Sequence, residues 1–350
     1  MKKVFYVACV MVLCALLVHA QASPDFAGAT AVSFGDKKTI TALNGFRADP
    51  AHCDAAGNIY LFVSKNGNQF IPTHPALKRI TPAAAVEASY SAGKGHVVGS
   101  GFGQHGEAAI LMNRDRVAGL TTGDYLLRFN PQGKLEGESR FVRGLDAGSA
   151  RLALFPDGNV LIVEYRRRRR AGYRNSSTST NQSQQTQLVA IYDSQARLVT
   201  NVERPGDEAI YIYDAISGPD GNAYLVGLVG GPGKTEIPAI VYAVAPSGKI
   251  VKRLEIAPPA AHMLPHQMQV ADGRIAIVFL EQGTSRPLVS INDWKTGQRL
   301  KLYQLPNKVT SLACYDPATE HMVFLDQTFP PYAANQVSLR VAQPSSAAKP

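Results

Sequence analysis

A short turn followed by an apolar run returns along this chain about every 50 residues, and it constrains the fold more than any other feature. Clear copies of the turn lie at residues 54–58, 156–159, 218–222 and 271–274, and weaker copies at 104–107 and 317–320. The clear copies combine Gly with Asp or Asn, which accept the positive φ of tight hairpin turns. The spacing is 47 to 52 residues, except for 63 residues where an insertion stretches the third copy. Such a period indicates repeated supersecondary units.

A second turn follows each first one. Gly248 lies 27 residues after Gly221, and Gly297 lies 24 residues after Gly273. The segments that flank these turns alternate like strands, as at 240–244 and 250–256. One unit is therefore two hairpins, or four antiparallel strands. Six such units predict an all-β, six-bladed β-propeller that forms a single domain over residues 23–342.

Two of the repeats carry a family resemblance. Residues 216–224 (ISGPDGNAY) and the partner turn at 246–250 (PSGKI) resemble blades of the NHL and streptogramin-lyase-like propellers, a superfamily that includes TolB-like and SMP-30-like proteins. The resemblance spans roughly residues 45–330 and implies the propeller fold. It implies little about function, because one fold hosts many activities.

The ring of blades must close, since a free first and last blade would expose strand edges. The last repeat shows three strands, and we expect the fourth to come from the N-terminus, at 38–43 or 29–34. Cys53 and Cys314 occupy like positions in the first and last blades, which closure makes neighbours. We expect them to form a disulfide, the alternative being two buried thiols. The Pro-, Ser- and Ala-rich tail at 343–350 is predicted to be disordered.

The N-terminus has the three parts of a secretory signal peptide. Lys2 and Lys3 precede an apolar run at 4–18, and residues 20–22 (AQA) offer a small-residue cleavage site. The sequence therefore predicts a signal peptide at 1–22 and a periplasmic or secreted, soluble, monomeric protein without a later transmembrane segment. A retained membrane anchor is the alternative.

Most of the net positive charge of the chain comes from one cluster of arginines. The formal net charge of +9 falls to +7 without Lys2 and Lys3, and to +2 without five consecutive arginines: Arg166, Arg167, Arg168, Arg169 and Arg170. These arginines open a low-complexity insert at 166–187, predicted to be flexible. The cluster is either a solvated loop or a contact with an anionic surface such as lipid headgroups. We expect no nucleic-acid binding, because a base-contacting element is missing.

The longer connections of each repeat should emerge on one face, and this long-loop face collects the variable polar residues. Binding sites favour such loops on a rigid scaffold, so we expect a ligand around the channel mouth there. The connections are those at residues 65–74, 114–122, 166–187, 207–213, 230–236, 261–266, 282–286 and 327–335.

Candidate catalytic residues are His262 and His266, which we place on an inter-blade loop beside the channel, together with Asp214. Neutral imidazole serves in acid–base chemistry, and the lyase-like propellers imply a catalytic histidine near the channel. The lactonase-like propellers imply instead a divalent cation held by oxygen ligands, for which Asp54, Glu164 and Asp214 are the candidates. Hydrogen-bonding histidines without chemistry are the alternative reading. Unless the protein is lactonase-like, we expect no cofactor.

The leading hypothesis from sequence is an exported, non-catalytic binding module. Its partner would be a small molecule or a periplasmic or envelope protein, bound on the long-loop face. The alternative is a propeller hydrolase or lyase, either metal-dependent and lactonase-like or streptogramin-lyase-like, with its site at the channel mouth.

Overall fold

The computed structural model describes residues 26, 28–54, 56–65, 73–114, 119, 121–141, 147–166, 186–203, 210–229, 237–283, 287–305, 311–328 and 336–344. Across these residues the chain is all-β, and its helical element is one turn of 3-10 helix, η1 (Thr41–Leu43). No helix in the described ranges is long and apolar enough to cross a membrane.

The strands follow one another along the chain with short turns between them. The first half contains β1 (Thr30–Thr39), β2 (Phe46–Cys53), β3 (Ile59–Lys65), β4 (Thr73–Ile80), β5 (Val86–Ser91), β6 (His96–Phe102), β7 (Ala108–Asn113), β8 (Asp124–Phe129), β9 (Leu135–Arg140), β10 (Ala147–Leu154), β11 (Val160–Arg166), β12 (Thr186–Tyr192) and β13 (Leu198–Asn201). The second half contains β14 (Ile210–Ser217), β15 (Ala223–Val229), β16 (Ala239–Val244), β17 (Ile250–Ile256), β18 (Met263–Ala271), β19 (Arg274–Glu281), β20 (Pro287–Asp293), β21 (Arg299–Gln304), β22 (Ser311–Asp316), β23 (His321–Thr328) and β24 (Gln336–Pro344).

Sixteen of these strands form four separate antiparallel sheets of four, each in chain order: β2–β5, β6–β9, β10–β13 and β14–β17. The other eight form one sheet in the order β18-β19-β20-β21-β1-β24-β23-β22. The four-stranded antiparallel blades and the propeller arrangement predicted from the repeat are confirmed. The count of six separate blades is not confirmed, because β1 joins β18–β21 to β22–β24 in a single sheet.

The N-terminal strand closes the ring, as predicted. β1 pairs antiparallel with β24, from Val32 opposite Pro344 to Thr39 opposite Ser338. Its first residues, Thr30 and Ala31, pair parallel with the end of β21. The strand contains residues 30–34 of one segment proposed as the fourth strand, but only residues 38 and 39 of the other, whose end forms η1. β24 ends two residues beyond the predicted end of the propeller at 342.

Cys53 and Cys314 form the predicted disulfide. Their Cα atoms lie 5.2 Å apart, and the bond joins positions separated by 261 residues in sequence. The bond therefore ties the last residue of β2 to β22, which are the innermost strands at the two ends of the repeat array.

The recurring turns have one chemistry. The Asp220 carboxylate accepts hydrogen bonds from Asn222 N, from Asn222 Nδ2 at 2.7 Å and from the Tyr224 hydroxyl at 2.8 Å. Gly221 supplies the positive φ of this turn, at 80°. Asp54 makes the same set of bonds with Asn58 and Tyr60, although it stands two positions earlier in its turn than Asp220 does.

The hydrophobic core lies between neighbouring sheets. Leu161 and Val163 of β11 pack in one cluster with Leu225 of β15 and Ile240 of β16, all almost fully buried. Burying such aliphatic side chains contributes roughly 1.5–3 kcal/mol each relative to full exposure. Sheet faces pressed together in this way hold the first strand of each group near the central channel.

Six first strands, β2, β6, β10, β14, β18 and β22, surround that channel, and contacts run from β6 through β10, β14, β18 and β22 to β2. Each shows a register shift against its neighbour within the sheet. β6 comes very close to β10, because an added Cβ at Gly99 would lie 2.6 Å from the carbonyl oxygen of Ala150. The inner ring is therefore irregular, and this irregularity shapes the site.

Candidate ligand site in the central channel

The register shifts of the inner strands redirect side chains into the channel. Val98, Tyr213 and His266 sit at the shifts of β6, β14 and β18, where two residues face one on the partner strand. Bulges of this kind bend a strand and re-aim its side chains, and they are common beside functional sites. Here they bring an apolar, a phenolic and an imidazole group to one cavity.

That cavity has a volume of about 320 Å³. Five of the six inner strands and β3 contribute to its wall, through His52, Phe62, Val97, Val98, Gly99, Ser100, Phe102, Ala150, Arg151, Tyr213, Asp214, His266 and Gln267. The volume is at the lower end of the range for small-molecule sites in proteins, roughly 300–1,000 Å³.

One end of the channel is bridged by hydrogen bonds that join the ends of β6, β10 and β14. The Ser217 hydroxyl at the end of β14 donates to the carbonyl of Phe102 at the end of β6, and accepts from Leu154 N at 2.9 Å. The amide of Gln104 donates to the carbonyl of Ser217. These bonds lie at the short-turn end of the inner strands, so access to the cavity is expected from the long-loop face.

His52 and Asp214 are paired in the cavity, with Nε2 and Oδ1 3.9 Å apart. Asp214 is almost fully buried. Its Oδ1 accepts from Ala215 N at 2.9 Å, and its Oδ2 accepts from Met268 N at 3.0 Å. The carboxylate therefore also connects β14 to β18.

The two histidines of the cavity are held in their neutral form. Burial lowers the pKa of both His52 and His266 from the usual 6.5, and the positive charge of Arg151 lowers it further, while the Asp214 carboxylate acts in the opposite direction. Burial is the largest of these effects, since a charged imidazole loses hydration there. At neutral pH each ring therefore offers one nitrogen that can accept a proton.

Arg151 and Tyr213 form the other polar part of the wall. Arg151 Nε donates to the backbone carbonyl of Tyr213 at 3.1 Å, which fixes the guanidinium across the gap between β10 and β14. Burial and the nearby Tyr211 raise the pKa of Tyr213 to about 12, so its hydroxyl stays protonated.

Gln267 is 3% exposed and connects β18 to β22. Its Oε1 accepts from Leu312 N at 2.9 Å, whereas its Nε2 is buried and has no hydrogen-bond partner in the described part of the chain. A buried donor without a partner costs about 1–3 kcal/mol, which a ligand or water oxygen at this place would relieve.

Of the residues singled out from sequence, His266 and Asp214 line the cavity. The placement of His266 on a loop was wrong, because β18 begins at Met263 and the ring stands at a bulge beside Pro265. His262 is on the turn before β18, where it is exposed and does not line the cavity.

Asp54 and Glu164 also lie outside the cavity lining. Asp54 stabilises its turn, and Glu164 is buried in β11, where it accepts a hydrogen bond from the Tyr192 hydroxyl at 3.2 Å. Among the described residues, no group of three or more His, Cys, Asp or Glu side chains is arranged to hold a metal ion. The three carboxylates proposed as a cation site therefore do not converge.

Most of the arginine cluster lies outside the described residues. The backbone of Arg166 ends β11, while residues 167–185 lie outside the described residues. The same holds for much of the predicted long-loop face, including 66–72, 204–209 and 230–236.

His52 and Arg151 were missed in the sequence. His52 directly precedes Cys53 and lies two residues after Pro50, and a proline inside a strand is a signal of a bulge. Arg151 has a weaker signal: it is a lone cation in the apolar first strand of its repeat.

The structure is similar to several solved structures. The structure resembles that of a protein of unknown function from Dyadobacter fermentans, with a TM-score of 0.53 and 11% identity, covering 89% of this chain and 99% of that one. A gluconolactonase from Xanthomonas campestris gives a TM-score of 0.47 at 13% identity, covering 91% of this chain and 99% of that one. The β-propeller domain of the Trilobed protease from Pyrococcus furiosus gives 0.43 at 10% identity, covering 87% and 99%.

No protein-family model matches the chain, and no curated protein matches it. At 11% identity, the likeness to the Dyadobacter fermentans protein concerns the fold alone. The protein is a β-propeller with four-stranded antiparallel blades, a disulfide, and a channel cavity lined by both apolar and polar residues.

Proposed function

We propose that this protein is an exported binding module whose ligand is a small molecule held in the channel cavity. The observation that carries the proposal is the cavity itself, which combines an apolar wall with converging polar groups and is bridged at one end. Small-molecule sites have this character, and they occur where several elements of a rigid scaffold meet. The binding place is thus inside the channel, below the long-loop face that the sequence indicated.

The proposal is tested by thermal unfolding in the presence of a panel of small organic molecules. A ligand that binds only the folded protein raises the midpoint with the logarithm of its concentration over its dissociation constant. We expect stabilising compounds to lose their effect in the variant Ser100→Phe, which places a large side chain in the cavity wall. Ser194→Phe, on an exposed turn, is the matched control and should keep the effect. Equal stabilisation of both variants would contradict the proposal.

A second candidate function is supported by the neutral histidines. His52, His266 and Asp214 are three groups that can act in acid–base chemistry, and they line one cavity. A hydrolase or lyase that uses one imidazole as general base is therefore the alternative to binding alone.

Turnover of a panel of esters and lactones distinguishes the two functions. If the protein is such an enzyme, activity should fall at least tenfold in His52→Gln or His266→Gln. It should persist in His262→Gln, because that histidine lies outside the cavity. Activity that survives both cavity substitutions would eliminate this alternative.

A further inference from the structure

The cavity has two chemically different walls. Phe62, Val97, Val98 and Phe102 form an apolar wall from β3 and β6. The other wall is polar and includes Arg151 of β10, Tyr213 of β14 and Gln267 of β18. A ligand that satisfies both walls needs a polar group at one end and an apolar body at the other.

The guanidinium of Arg151 is the cation of the polar wall. Its Nε bond to the carbonyl of Tyr213 holds the planar fork in place, while its terminal nitrogens have no carboxylate within 4 Å among the described residues. Arginine presents paired N–H groups that match the two oxygens of a carboxylate. Arg151 is exposed, so the geometry provides a cationic fork that is anchored at Nε and open to solvent at its terminal nitrogens.

The remaining polar groups also favour an acceptor. Gln267 Nε2 is a buried donor without a partner in the described chain, and the protonated hydroxyl of Tyr213 is a further donor. The carboxylate of Asp214 offers less to a ligand, since each of its oxygens already accepts a backbone N–H. Together with the Arg151 guanidinium, these donors of the lining residues favour a ligand group with acceptor oxygens.

We infer that the cavity takes a compact carboxylate with an apolar body, its carboxylate on Arg151 and its body against Phe62, Val98 and Phe102. This inference rests on the proposed binding function and names the chemical class of the ligand.

The charges that line the cavity also determine how ligand binding depends on pH. Arg151 and Asp214 offset one another, so a bound carboxylate adds one uncompensated negative charge to the cavity. The charged groups that face His52 and His266 are Asp214 on β14 and Arg151 on β10. Both rings are neutral before binding, and the charge of a bound anion raises the pKa of the imidazole that it faces. Binding then becomes tighter as the pH falls, by up to about tenfold per pH unit for one proton.

The experiment is titration calorimetry with matched pairs of carboxylate and neutral amide: acetate and acetamide, benzoate and benzamide, phenylacetate and phenylacetamide. We expect at least one carboxylate to bind tenfold or more tightly than its amide, with proton uptake seen as a dependence of heat on buffer. Arg151→Gln should remove this preference, and Arg151→Lys should keep part of it. Arg197→Gln, an exposed arginine on a turn, is the matched control and should change nothing.

The outcomes separate this inference from the proposed function. If the amides bind as tightly as the carboxylates and Ser100→Phe still blocks them, the cavity binds ligands but the carboxylate assignment is wrong. Tighter binding of phenyl phosphate than of benzoate would also overturn that assignment. If no compound distinguishes Ser100→Phe from Ser194→Phe, the proposed function itself fails. Proton uptake that persists in a His52→Gln, His266→Gln double variant would refute the role of the histidines.

Discussion

His52 and Asp214 face each other across the central channel, with Nε2 and Oδ1 3.9 Å apart, although they belong to β2 and β14. The two strands are not neighbours in the inner ring, so this pair exists only because the ring is closed. The distance is too long for a hydrogen bond but short enough for a strong electrostatic effect on the imidazole. The closed ring therefore places a carboxylate where its charge raises the pKa of His52, against the lowering effect of burial.

The first prediction concerns stability against pH. The pKa of His52 and that of His266 lie below 6.5 in the folded chain, while in the unfolded chain they return to the ordinary value. As the pH falls through 6.5, the unfolded state takes up protons before the folded state does, so folding stability is lost. We expect the free energy of unfolding to decrease from pH 7 downward, until the folded histidines also protonate.

Urea denaturation at several pH values measures this effect. The double variant His52→Gln, His266→Gln should show a smaller loss of stability between pH 7 and pH 5.5 than the unmodified protein. His262→Gln removes an exposed histidine and is the control, so it should follow the unmodified curve. An unchanged pH slope in the double variant would refute the assignment.

The second prediction concerns the disulfide. The Cys53–Cys314 bond closes a loop across 261 positions, for which the chain-entropy model gives roughly 5 kcal/mol as an upper figure. Observed disulfides contribute about 2–4 kcal/mol, so we expect a loss in that range for the double variant Cys53→Ser, Cys314→Ser. The denaturation midpoint under oxidising conditions is the measurement.

A reducing agent supplies the control for that experiment. It should lower the midpoint of the unmodified protein to that of the double variant, and leave the double variant itself unchanged. If reduction has no effect on the unmodified protein, the bond does not form in solution.

The fold was largely predictable because its signal is local and repeated. Asp220, Gly221 and Asn222 mark a turn that recurs with the same chemistry around Asp54, and each copy reinforces the reading of the next. Ring closure and the cysteine pairing followed from the topology that the repeat defines. The sequence did not predict that β18–β21 and β22–β24 would share one sheet. The pairing of β1 with β21, which joins them, involves only Thr30 and Ala31 and leaves no pattern in the sequence.

The site was much less predictable. A bulge changes which residue faces the channel, and one residue of shift reverses the side chains of a strand. Sequence reasoning therefore placed His266 on a loop and missed His52, although both line the same cavity. Asp54 and Glu164 were candidates because both are carboxylates near inner strands. The structure shows that Asp54 accepts hydrogen bonds within its own turn, and that Glu164 accepts one from the Tyr192 hydroxyl.

The third prediction separates Asp54 from the site. Asp54→Ala removes the acceptor for Ala56 N, Asn58 N and the Tyr60 hydroxyl, so we expect a stability loss of about 1–3 kcal/mol. Binding of any cavity ligand should be unchanged under conditions where the variant is folded. Asp36→Ala, an exposed position of β1, is the control and should be neutral. A loss of ligand binding in Asp54→Ala without a loss of stability would restore Asp54 as a functional residue.

The fourth prediction tests the close approach of β6 and β10, which shapes one side of the cavity. A Cβ added at Gly99 would lie 2.6 Å from the carbonyl oxygen of Ala150 and 2.7 Å from a methyl of Leu152. Because both distances are shorter than a van der Waals contact, β6 and β10 would have to move apart. Overpacking of this kind costs about 1–3 kcal/mol, and we expect that loss for Gly99→Ala. Gly137→Ala is the matched control on the outer strand β9, where no atom lies within 4 Å of the added Cβ. It should be neutral or slightly stabilising, since alanine restricts the unfolded chain. Equal effects of the two substitutions in urea denaturation would show that β6 and β10 are not in such close contact, and the cavity would then be wider than described.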